Sequence, residues 1–161
     1  LLTGCPLLDV EVDVPEVCVT YADLPVEAAD RDGAVTIHRS FAVDDLSLVH
    51  RLTDLDAELA FVGAALIART GIAGFAFVDA ARISISSGGS ELPPLVLYQC
   101  AGDCVPADGA LDMTAASEHD ALAYLRGDGL IIDLELTGRL PTVAWTMTVD
   151  VCFAGRAGYT Y

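Results

Sequence analysis

One stretch, VAWTMTVDVCF at positions 143–153, narrows the possible folds more than any other. Val143, Trp145, Met147, Val149, Val151 and Phe153 fall on one side of an extended chain. Ala144, Thr146, Thr148, Asp150 and Cys152 fall on the other. Successive side chains of a strand point to opposite faces, so a half-buried strand sorts these residues, whereas a helix would scatter both sets. The stretch DVEVDV repeats the pattern, with Val10, Val12 and Val14 set against Glu11 and Asp13. Pro15 then interrupts the ladder, since proline has no amide donor, and the strand resumes at EVCVTY.

Further strands are expected at 34–43, 58–69, 82–86, 94–100, 130–137 and the closing GYTY. The clusters DRDG, SSGGSELPP, GDCVPADG and GRLP punctuate them as turns. Many short strands separated by turns predict an all-β, antiparallel two-sheet β-sandwich, immunoglobulin-like in architecture. Two short crossover helices are expected. In ASEHDALAYLRG, Ser117 is the N-cap, Asp120 follows three residues later, Gly127 suits the C′ position, and Leu122 and Leu125 face the core. DDLSLVHRL, capped by Asp44, forms the second. A chain of 161 residues suits one domain, 9–161, preceded by an anchor or first strand at 1–8.

The hydrophobic share of 53% excludes a disordered chain. The formal net charge of −16 disfavours nucleic acid and anionic lipid headgroups as partners. All eight basic residues are arginine, and lysine and asparagine are missing altogether, a bias read as compositional rather than functional. The apolar run AFVGAALIARTGIAGFAF carries Arg69 and glycines, so it reads as buried strand rather than membrane span.

Five cysteines are present, none in CxxC spacing, so a zinc-ribbon or thioredoxin-like reading has no support. Cys100 and Cys104 flank AGD and can close a small loop. Cys18 and Cys152 both lie off the apolar faces of their strands, and they can join if the first and last long strands are neighbours. Disulfides imply export to an oxidising compartment. The alternative is five buried thiols in a reducing cytoplasm, which sits poorly with a polar 100–104 loop.

Cys5 is left over. Leu2-Thr3-Gly4-Cys5 resembles the lipobox at the end of a bacterial lipoprotein signal peptide. The resemblance covers four residues. It implies a lipidated Cys5, residues 1–4 as remnants of the signal, and attachment to a membrane through a lipid anchor only. The competing reading is a short apolar first strand with a buried thiol. The stretch GFAFVDAARISIS is similar to a phenylalanine–aspartate turn of bacterial surface β-sandwiches, and that likeness implies no function. From the residues themselves, Phe75 and Phe77 fill space between sheets, and Asp79 caps the turn or pairs with Arg82.

Motifs for chemistry are sparse. GxSxG, GxxxxGK[ST] and GxGxxG are all missing from the sequence. His38, His50 and His119 stand apart from one another and read as surface histidines. The carboxylate pairs Asp44–Asp45 and Asp54–Asp56 are the kind that 24 acidic residues produce by chance. No catalytic residue and no cofactor is assigned. Asp103, Asp108 and Asp112 share one turn-rich region and form a weak calcium candidate, because calcium takes hard oxygen ligands.

These readings converge on a non-catalytic, exported bacterial envelope or extracellular protein with a structural or binding role, whose partner is a protein or another copy of itself. One alternative is a fibre subunit that donates its N-terminal strand to a neighbour. Another is an enzyme acting on a surface polysaccharide, which would need an exposed aromatic platform; the single tryptophan, Trp145, alternates into the core.

Overall fold

The computed structural model describes residues 9–29, 33–43, 56–89, 92–114, 121–125 and 129–160. Among these it contains nine strands and one short helix: β1 (Asp9–Val26), β2 (Val35–Val43), β3 (Asp56–Thr70), β4 (Val78–Ser87), β5 (Leu95–Ala101), β6 (Pro106–Ala107), β7 (Ala110–Thr114), α1 (Leu122–Leu125), β8 (Leu130–Gly138) and β9 (Trp145–Thr160). Two antiparallel sheets face each other, in the orders β1-β9-β3-β7-β6 and β2-β8-β4-β5.

The pairings nest: β1 with β9, β2 with β8, β3 with β7, and β4 with β5. The first half of the chain thus lies against the second half like a long hairpin. Rolling that hairpin brings β9 against β3 and β8 against β4. This is the connectivity of a jelly roll. The expected two-sheet sandwich is present; its strand order is a jelly roll's, not an immunoglobulin domain's.

Alternation places the core. On the first sheet, Leu66, Met147, Val149 and Val151 point inward with no exposed surface. Ile83, Ile85, Ile132, Leu134 and Leu136 answer them from the second sheet, each exposed by 1% or less. β8 alternates along its whole length, its buried members being Leu130, Ile132, Leu134 and Leu136. Val143 departs from the expectation: it precedes β9, in the β8–β9 connection, and is 53% exposed. Alternation has meaning only where the chain is paired, and pairing starts at Trp145.

Bulges adjust the long strands. β1 gains one residue on β9 between Val14 and Val17, around Pro15, and another between Tyr21 and Leu24. At the second bulge Asp23 takes a left-handed conformation, φ 52°. Pro15 is therefore accommodated on an edge strand at a bulge, and β1 continues through it. From Asp9 onward this strand pairs within its own chain, so donation of residues 9–14 to a neighbour is not the arrangement here; residues 1–8 lie outside the described residues.

Both ends of the sandwich are closed by side chains. At one end Phe75 and Phe77 sit edge-on to Trp145, with ring centroids 6.1 and 5.6 Å away. The approach depends on two glycines. A Cβ on Gly71, φ 80°, would overlap the Ala144 carbonyl, and one on Gly138 would overlap the Phe77 carbonyl. Phe75 and Phe77 thus lie in the β3–β4 connection rather than on a strand. Near the start of β8, α1 packs on β3 and β4 with Leu122 and Tyr124 buried, and the Tyr124 hydroxyl donates to the Pro93 carbonyl at 2.7 Å. The expected helix from Ser117 is visible as this single turn; Ser117, Asp120 and Gly127, like the segment DDLSLVHRL, lie outside the described residues.

Candidate functional site

Most of the chemistry-bearing side chains occupy the two outer faces. On the first sheet, Cys18 stands directly opposite Cys152 in the β1–β9 register and the two are joined by a disulfide, Cα atoms 4.0 Å apart. A second disulfide joins Cys100 to Cys104, with Cα atoms 5.3 Å apart. Gly102, φ 80°, turns that loop, its amide donates to the Asp79 carbonyl at 2.7 Å, and the Asp103 carboxylate accepts from the Ala101 amide at 2.8 Å. Two structural disulfides indicate a non-reducing compartment. Among the described residues no helix is long and apolar enough to cross a membrane.

Glu16 completes a small cluster with Cys18 and Cys152, the ligand atoms lying within 4.8 Å of one another. Both sulfurs are consumed by their mutual bond, so they offer no thiolate to a metal. Asp103, Asp108 and Asp112 do not converge as the sequence suggested: no group of metal-ligating side chains among the described residues contains them. Asp103 caps its own loop, Asp108 occupies the β6–β7 turn at φ 48°, and Asp112 lies exposed on β7. Nearness in sequence did not translate into nearness of carboxylates because β6 separates the first from the second and the third lies within β7.

The outer face of the second sheet carries a polar ladder. His38 on β2 faces Glu135 on β8 in register, with Nδ1 and Oε1 3.4 Å apart, and Arg82 on β4 stands next in the same row. One row along, Asp133 accepts from the Ser40 hydroxyl on one carboxylate oxygen and from Ser86 on the other. Serine, histidine and two carboxylates therefore meet on one face. They do not form a nucleophile–base relay. The Ser40 proton is directed at Asp133, the histidine is directed at a different acid, and among the described residues no wall rises over this sheet face to exclude water.

Arg69 donates to the Thr148 hydroxyl at 2.8 Å on the first sheet. Asp79 is the extra residue of a β4 bulge; its main-chain carbonyl is engaged by Gly102, and no contact joins its carboxylate to Arg82. His50 and His119, and the acids Asp44, Asp45 and Asp54, lie outside the described residues, as does Cys5. Burial pushes the Tyr98 phenol above its ordinary value of 10.0, and the nearby Asp103 carboxylate adds to the rise.

Sequence reasoning did not find the His38–Glu135 and Ser40–Asp133–Ser86 contacts. Parity along β2 and β8 places these residues on one face, but only the register tells which ones meet. The Arg39 guanidinium escaped notice too. It points between the sheets, where it donates to the Pro25 carbonyl at 3.2 Å and to the His38 carbonyl at 3.3 Å.

No protein-family model matches the chain, and no curated protein matches it significantly. Similar solved structures exist at low identity. A structure of desmodium yellow mottle tymovirus aligns over 100% of this chain and 93% of its own, at 12% identity and a TM-score of 0.35. Infectious bursal disease virus Gx strain aligns over 91% of this chain at 13% identity and a TM-score of 0.40, this chain spanning 42% of that one. The jelly-roll assignment rests on the strand order of the chain itself.

Proposed function

We propose that this protein is an exported, non-catalytic jelly-roll domain with a structural role, acting by contact with a protein partner or with copies of itself. The observation that carries the reading is how its side chains are used. Apolar residues fill the space between the sheets, and on the outer face His38 engages Glu135 while Ser40 and Ser86 engage Asp133 across strands rather than in a cleft. The two disulfides support the exported setting.

We further propose that the domain belongs to the bacterial envelope or extracellular space and is tethered by acyl chains on Cys5. The lipobox-like Leu2-Thr3-Gly4-Cys5 supports this, together with a cysteine count that leaves Cys5 outside both disulfides. Intact mass of the protein from native membranes tests the tether. The expected result is a chain that begins at an acylated Cys5 and gains four hydrogens on reduction. A free Cys5 thiol with residues 1–4 retained overturns the tether. Light scattering over a range of concentrations, alone and with envelope extract, tests the structural role. Concentration-dependent assembly or a discrete complex is expected; a monomer under every condition that hydrolyses a surface polymer contradicts it.

A further inference from the structure

Beside the edge formed by β1 and β2 lies a cleft of about 700 Å³, within the range of small-molecule sites. Its walls are mixed: Val26, Val35, Ile37 and Leu140 form an aliphatic side, Glu27 shares the lining, and no aromatic ring does. Val26 and Leu140 are buried, and a bond from the Ala29 amide to the Pro141 carbonyl at 3.0 Å ties one wall to the β8–β9 connection. Arg39 also lines the cleft.

The state of that arginine is informative. Its guanidinium is anchored by the Pro25 and His38 carbonyls, one through each terminal nitrogen. Among the described residues no carboxylate is paired with it, although the chain carries 24 acids and Glu27 lines the same cleft. Two carbonyl dipoles hold the group in place without neutralising its charge, and a guanidinium keeps further N–H donors available. A fixed cation at the end of an aliphatic trough matches a ligand with a carboxylate head and a saturated tail.

We propose that the β1–β2 cleft binds an aliphatic monocarboxylate of the fatty-acid class, its head on Arg39 and its tail along Val26, Val35, Ile37 and Leu140. The tail contributes affinity by leaving water and the head sets orientation. The site is separate from the structural role proposed above and does not depend on Cys5.

Calorimetric titration of the full chain with decanoate and with 1-decanol tests the proposal. Saturable one-to-one binding of decanoate is expected, with decanol weaker by about tenfold, since a hydrogen bond to a charged group is lost. Arg39→Gln brings decanoate down to the affinity of decanol, Arg39→Lys retains part of the preference, and Arg82→Gln on the opposite face changes nothing. Circular dichroism and retention of both disulfides show whether each variant is folded. Equal affinity for acid and alcohol overturns the proposal even if the Arg39 variants fail to fold. Absence of saturable decanoate binding also overturns it, as does a folded Arg39→Gln that keeps the preference.

Discussion

The two disulfides make the same bond and do different work. Cys18–Cys152 spans 134 positions and fastens an edge strand to the strand beside it, on the outer face of the first sheet. Cys100–Cys104 spans four positions and shapes one loop at the end of β5. The first joins the beginning of the nested hairpin to its end, so it restricts almost the whole unfolded chain. The second restricts five residues that a glycine turn and an aspartate cap already hold. The contrast teaches that a link contributes by what it denies the unfolded state, not by how crowded its surroundings are.

The sharpest way to break the comparison is to remove each link in turn. Replacing Cys18 and Cys152 together by alanine should cost about 5 kcal/mol by the loop-entropy relation, read as a fall in Tm of roughly 10–20 °C. Met147→Ala empties a site on β9 between β1 and β3 that has no exposed surface. It should cost about 3 kcal/mol, measured by urea unfolding, and more if the seam closes poorly around the cavity. Replacing Cys100 and Cys104 by alanine should cost about 2 kcal/mol by the same relation. Equal losses for the two disulfides would show that native geometry, not chain entropy, dominates.

The smallest effect is alkaline. The fold holds the Tyr98 phenol above its value in the unfolded chain, through burial and then Asp103. Its contribution is therefore intact below the unfolded value of 10.0 and is lost as pH rises through the folded one. Tyr98→Phe should flatten stability above pH 10, seen in thermal melts from pH 9 to 11, with Cys100–Cys104 intact.

Much of this architecture could be read from the chain. The alternation of 145–153 marked β9, and the stretch 130–137 marked β8, because a strand with one face on the core sorts its residues by parity. The positions of Cys18 and Cys152 off the apolar faces pointed to a seam between the first and last strands. Three things stayed hidden. Register did, so the meeting of His38 with Glu135 and of Ser40 with Asp133 could not be foreseen. Loop paths did, so Phe75 and Phe77 looked like strand residues although they cap Trp145 from a connection. The side of Arg39 follows from the parity of β2, but its lack of a carboxylate partner among the described residues does not, since pairing across sheets depends on how two edges approach.

The nested pairing of β1 with β9 carries everything else, and peptide mapping of the native protein without reduction tests it most directly. The account predicts one cross-linked pair containing Cys18 and Cys152 and a separate fragment closed between Cys100 and Cys104. A link from Cys18 to Cys100 or Cys104, or freely alkylated thiols at both Cys18 and Cys152, would contradict it.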